Sequence, residues 1–211
     1  MSGLRLRKKA DRNRRIQEAA AELFRRDGYE ATRMEDIAAR ADLGIGTLYN
    51  YYRTKGDLLL AVVTLEVENV LEKAHVELSA PLPDATAAIE RLIVAYFDYS
   101  LVYLTKSIWR TAIALSIHQP MTPFGLRYAE LDQRLAQQVA WLLRSLQRAR
   151  LIGAEVDIPA VSDLIFNNIN MMFIEFLKDD DMTIETAKAK VSRQSAPIAA
   201  FLLATSKTAG G

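Results

Sequence analysis

Apolar residues recur at helical spacing along almost the whole chain, and the interruptions between them divide it into helices. Ile16, Ala19, Ala20, Leu23 and Phe24 mark one face of a first helix from about Asp11 to Arg26, and Gly28 is suited to end it. Thr32 followed by Glu35 is a capping-box pattern, so a second helix is predicted to begin at Arg33 with Met34, Ile37, Ala38 and Ala41 inward. Asp42, Gly44 and Gly46 break that periodicity, and Gly44 is the expected left-handed residue of a sharp turn. A short third helix, Thr47 to Tyr52, buries Leu48 and Tyr52 and turns Thr47, Tyr49, Asn50 and Tyr51 outward. Two short helices joined by a tight turn make a helix-turn-helix. Thr54 with Asp57 repeats the start signal ahead of a long helix, Lys55 to Leu78, which spans ~35 Å at 1.5 Å per residue.

Pro81 and Pro83 end that helix, and Asp84 is placed to cap the next. Further helices are predicted at about 84–104, 107–118, 123–150, 158–178 and 183–205, with no strand pattern and no repeat. Thr122-Pro123 and Asp157 with Pro159 are start signals, Gly153 is a break, and Pro197 should kink or split the last helix. The fold class is therefore all-α: an N-terminal three-helix helix-turn-helix domain followed by a C-terminal helical domain. The expected division is a disordered basic arm at 1–10, the helix-turn-helix domain at 11–57, the helical domain at 58–205 and a disordered tail at 206–211.

Gly28-Tyr29, Thr32, Ile37-Ala38, Gly46-Thr47-Leu48-Tyr49, Tyr51-Tyr52 and Lys55 with Leu58 stand in the order and spacing of one known domain. Over about its first 60 residues the sequence resembles the DNA-binding domain of TetR-type repressors. The resemblance implies an all-helical homodimer whose N-terminal domains grip a palindromic DNA operator and whose C-terminal domains bind a small-molecule effector. It implies that Thr32, Tyr51 and Lys55 hold phosphates, and that Gly46, Thr47, Tyr49 and Asn50 enter the major groove; Arg33 joins this DNA-contact set. The chemistry agrees, because Asn pairs bidentately with adenine and a Thr methyl meets a thymine methyl. At the last aromatic position, commonly Phe in the family, stands Tyr52, whose hydroxyl needs a partner if buried.

For an effector pocket, the helices that line it in the resembled fold carry Tyr96, Tyr99, Tyr103 and Trp109, with His118, Asn167, Asn170 and Met171 as polar or soft additions. Since Arg110 is the one basic residue clearly among them, the effector is expected to be neutral or weakly polar and hydrophobic. The dimer interface is expected on the last two helices, at Phe166, Ile169, Phe173, Ile174, Ile198, Phe201 and Leu202. The plainer possibility is that those faces pack inside one subunit.

Charge sharpens this reading. The net +1 conceals +4 over residues 1–60 (13 Lys/Arg, 9 Asp/Glu) and −3 over the remainder (14 and 17). Arg5, Arg7, Lys8, Lys9, Arg12, Arg14 and Arg15 crowd the first fifteen residues, a cluster that attracts phosphate backbones without reading sequence. No apolar run reaches membrane-spanning length and none follows the basic start, so a cytoplasmic protein is expected. An enzyme is not expected. Cysteine is absent, the two histidines, His75 and His118, lie far apart, and neither a Gly-x-Ser-x-Gly elbow nor a P-loop occurs. Gly44-Ile45-Gly46 lacks the third glycine of a dinucleotide site, and no cofactor or metal is expected. The alternative keeps DNA binding but makes the C-terminal half an architectural or adaptor module that binds a protein partner and no small molecule.

Overall fold

In chain order the elements are α1 (Ser2–Asp27), α2 (Met34–Arg40), α3 (Ile45–Tyr49), α4 (Lys55–Leu78), α5 (Ala85–Asp98), α6 (Lys106–His118), α7 (Pro123–Arg148), α8 (Ile158–Lys178) and α9 (Ile184–Thr208). The computed structural model describes residues 2–208, with side chains for 6–206, and among these residues every regular element is a helix. The all-α class predicted from the periodicity is the observed one. The chain forms two compact units: one takes in the residues up to Glu66 together with Leu101–Ala129, the other Val67–Ser100 and the residues from Glu130 onward.

In the first unit, Ile16, Ala20, Leu23 and Phe24 of α1, Ile37 and Ala38 of α2, Leu48 of α3 and Leu58, Leu59, Val62 and Val63 of α4 are buried. Each set repeats every three or four residues, so each helix buries one stripe. α1 starts at Ser2, not near Asp11, and residues 2–10 are helical where a disordered arm was expected; Met1 lies outside the described residues. The physical reason is propagation: Leu, Arg, Lys and Ala are good helix formers, and each adds one bond to an already packed helix.

Two of the predicted turn devices are replaced by others. Thr32 Oγ1 donates to the Gly28 carbonyl at 2.7 Å instead of capping, and α2 begins at Met34 with Arg33 as an N-cap lacking a side-chain bond. At the other end of α2 the left-handed residue is Asp42 (φ 54°), while Gly44 (φ −68°) is the N-cap of α3. The Leu43 N–H bonds the Ala38 carbonyl at 2.9 Å and the Asp42 N–H the Ala39 carbonyl at 3.0 Å, a tight helix-ending loop. Asp tolerates that conformation better than most residues. Thr54 and Asp57 do form their reciprocal box: each side chain accepts the other's backbone N–H at 3.0 Å.

In the second unit α9 lies against α5 and α8. Phe97 meets Phe173 and Phe176 edge-on, with ring centroids 5.9 and 6.0 Å away. The predicted caps are present: Asp84 accepts from the Ala87 N–H at 2.9 Å and Asp157 from the Ala160 N–H at 3.1 Å. α7 stops before Gly153, because Arg150 takes a left-handed conformation (φ 59°) and the Leu151 N–H closes onto the Leu146 carbonyl at 2.9 Å. Pro197 does not split α9. It is exposed, so the carbonyl deprived of its N–H can turn to water. α9 also takes in 206–208 of the expected tail; 209–211 lie outside the described residues.

Candidate nucleic-acid interface

α3 has five residues, too few to be stable alone, so its orientation comes from what it leans on. Leu48 is its fully buried anchor. On the other side Gly46, Tyr49 (45% exposed) and Asn50 face solvent, with Thr47 half-buried. Ile45, which sequence patterning left in the turn, is the first residue of α3 and is also exposed. A Cβ built on Gly46 meets nothing, so that stretch of backbone is open to a ligand.

The segment after α3 is tied to α1. The Tyr52 hydroxyl donates to Asn13 Oδ1 at 2.8 Å and accepts from Gln17 Nε2 at 2.9 Å, which supplies the partner its partial burial demands. Burial raises the pKa of that hydroxyl, keeping it a donor. Next to it the half-buried Tyr51 donates to the Lys9 carbonyl at 3.4 Å.

The residues expected to hold phosphates divide. Thr32 is buried and its hydroxyl is engaged with Gly28, so its side chain is unavailable. Lys55 points its ammonium at the carbonyls of Tyr29, Glu30 and Thr32 at 2.7, 2.9 and 3.2 Å and sits 4.5 Å above the Tyr29 ring. Its three protons tie the α1–α2 turn to the start of α4, a use that spacing cannot reveal. Arg33 is exposed, 3.5 Å from Glu35. Arg15, read from sequence as one more member of the basic cluster, instead donates to the Ala41 carbonyl at 2.5 Å and to the Asp42 carboxylate at 3.1 Å.

A buried acid completes the first unit. Glu66, on α4 among apolar neighbours, is fully buried, and its carboxylate accepts the backbone N–H groups of Val102, Tyr103 and Leu104 at 2.7, 2.5 and 2.9 Å. Those donors are taken from any helical ladder, which is why α5 ends at Asp98 and not near residue 104. Desolvation raises the Glu66 carboxyl to about 7 against the three N–H donors, which pull it down.

The residues proposed for an effector pocket fall in both units. Tyr103, Trp109 and His118 belong to the first unit, where Trp109 is buried and His118 exposed; the others belong to the second. In that unit Tyr96 is buried with its hydroxyl donating to the Leu135 carbonyl at 2.9 Å, and Tyr99 donates to Glu77 at 2.9 Å. Asn170 is half-buried, whereas Asn167 and Met171 are exposed on α8 and line no interior. Of the proposed interface residues, Phe166, Ile169 and Leu202 are buried within the unit's own core, Phe173, Ile174 and Ile198 are half-buried, and Phe201 is exposed. The large exposed apolar side chains of α8 are Leu164 and Met171, which the stripe reading passed over because they lie on the opposite face of the helix. Among the described residues no cluster of histidines and carboxylates could hold a metal, and no helix is long and apolar enough to cross a membrane.

Residues 16–62 match the sequence profile of the family described as bacterial regulatory proteins, tetR family. The chain is similar to the HTH-type transcriptional repressor KstR of Rhodococcus jostii, 40% identical over 60 residues, which cover 28% of each chain. Its fold is similar to a transcriptional regulator from Saccharomonospora viridis in complex with choline (TM-score 0.68, 21% identity, 87% of this chain and 95% of that one). It is similar also to the transcriptional regulator FadR from Bacillus subtilis in complex with stearoyl-CoA (TM-score 0.64, 19% identity, 85% and 95%). The matched region begins at Ile16, the first core residue of α1, and ends at Val62 in the core of α4, so it is the helix-turn-helix with its supports. Over residues 16–62 the chain thus carries the N-terminal domain of the tetR family of bacterial regulatory proteins.

Proposed function

We propose that the chain is a DNA-binding transcriptional repressor that acts as a homodimer on a palindromic operator and is released by a small hydrophobic effector. The observation that carries the DNA-binding reading is the two-sidedness of α3. Leu48 is wholly buried while Gly46, Tyr49 and Asn50 stand exposed along the opposite side, so the outward groups present hydrogen-bonding and stacking chemistry to a major groove. Residues 11–57 form the DNA-binding part and 58–205 the effector and dimerisation part.

Pairing is supported by apolar surface left uncovered within the second unit. Leu164 and Met171 of α8 are 60% and 58% exposed, and Phe201 of α9 is 55% exposed beside exposed Ala200 and Pro197. A two-fold pair brings two recognition helices to half-sites about 34 Å apart. Small-molecule control is supported by the choline and stearoyl-CoA bound to two proteins of similar fold. The effector must bind the released conformation more tightly than the DNA-bound one, since equal affinity shifts nothing.

Selection of bound sequences from a random duplex pool by the purified protein tests this function. An enriched palindrome that is lost on Tyr49→Ala with Asn50→Ala supports it. Salt-sensitive binding without an enriched sequence overturns the operator-reading part.

A further inference from the structure

The inward stripe of α1 continues past the core it covers. Ile16, Ala19, Ala20 and Leu23 are buried on the face that meets the rest of the first unit. Carried toward the N-terminus, the same face holds Arg12, Lys9 and Lys8, because 8, 12, 16 and 9, 12, 16, 20 step by three or four residues. All three cations are exposed, and among the described residues none has an ion-pair partner. Arg14, on the opposite face, is paired instead with Asp11 and Glu18, each at 3.2 Å.

This cationic stretch is fixed beside the recognition segment. Tyr51 reaches the Lys9 carbonyl, and the Asn13–Tyr52–Gln17 hydrogen bonds clamp the next two turns.

We propose that Lys8, Lys9 and Arg12 form a cationic stripe that grips phosphates of the same duplex that α3 reads. The inference rests on the DNA-binding reading above and adds to it a sequence-independent handhold. From Lys8 to Arg12 the helix advances ~6 Å, so the three side chains can engage neighbouring phosphates along one strand. Each phosphate neutralised releases counterions and steepens the dependence of log affinity on log salt by about 0.9.

The test compares two triple variants of the full chain at several salt concentrations, on the duplex enriched by the unsubstituted protein. In K8Q/K9Q/R12Q, which removes three phosphate contacts from each of the two subunits, the slope should flatten by about 5 with the preferred sequence unchanged. In R25Q/K73Q/R148Q, which removes as many exposed charges outside the basic cluster of the first fifteen residues, the slope should stay within about 0.5 of the original. All six residues are exposed, and helix content by circular dichroism checks that both variants remain folded. An unchanged slope in the first variant, or equal flattening in both, overturns the stripe while leaving the DNA-binding reading intact. Failure of the unsubstituted chain to bind any duplex overturns the two together.

Discussion

The Arg15 guanidinium donates to the carbonyl oxygen of Ala41, the C-cap of α2, at 2.5 Å, and the same nitrogen meets the Asp42 carboxylate at 3.1 Å. A residue of α1 thereby fixes the turn between the two helices of the helix-turn-helix. Arg15→Gln should cost about 1–3 kcal/mol of stability by leaving a helix-end carbonyl unpaired. It should weaken sequence-specific binding without changing the salt slope. Urea unfolding together with salt titration checks this; a flattened slope at unchanged stability would place Arg15 on phosphate instead.

Lys55 makes a parallel case. Its ammonium satisfies three carbonyls of the α1–α2 turn, so Lys55→Met should lower stability by about 1–3 kcal/mol. Lys55→Arg should not restore it, since a planar fork cannot address three oxygens gathered round a point. Denaturant midpoints of the two variants decide the matter. Loss of DNA affinity with both midpoints unchanged would return Lys55 to the role expected from sequence.

Glu66 predicts a pH effect with a definite sign. Its carboxyl titrates at about 7 in the folded chain against the ordinary 4.5, so the folded state holds the proton more strongly. The stability it contributes is fully present below about pH 4.5 and is lost as pH rises through about 7, a difference of order 3 kcal/mol. Glu66→Gln should remove this component. Its amide, with one acceptor oxygen in place of two, should also leave an N–H of the 102–104 loop unpaired, costing about 1–3 kcal/mol. Unfolding free energies of the parent and the variant at pH 5 and 8 supply the comparison. Asp132, raised to about 6 by desolvation, titrates alike in both proteins and cancels.

On α8 and α9, Leu164→Glu with Phe201→Glu should convert the proposed homodimer to monomer at micromolar concentration while leaving the monomer folded, because both side chains are more than half exposed. Sedimentation velocity reads the change. An unaltered dimer would move the pairing surface elsewhere.

The parts legible in the sequence were those governed by local rules. The Thr54–Asp57 box, the Asp84 and Asp157 caps and the stripes of α1, α4 and α8 depend on residues within a turn of each other, and periodicity exposes them. The failures are tertiary. Thr32 had two possible partners, and a carbonyl four residues back prevailed over the helix end. Glu66 looks like any polar residue on a long helix until a loop some forty residues later brings three N–H groups to it. Phe166 and Ile169 are buried within their own unit where a partner's surface was expected, a distinction that stripe width alone leaves open.

The Asn13–Tyr52–Gln17 hydrogen bonds reach beyond the stability of a turn. A five-residue recognition helix carries little of the information that sets its own angle; much of it resides in α1, some thirty-five residues earlier. Grafting Ile45–Tyr49 alone onto a relative should therefore transfer the letters of the code without the pose that lets them be read. A working transplant has to bring Asn13 and Gln17 with it, making the inherited unit of specificity a pair of helices distant in sequence.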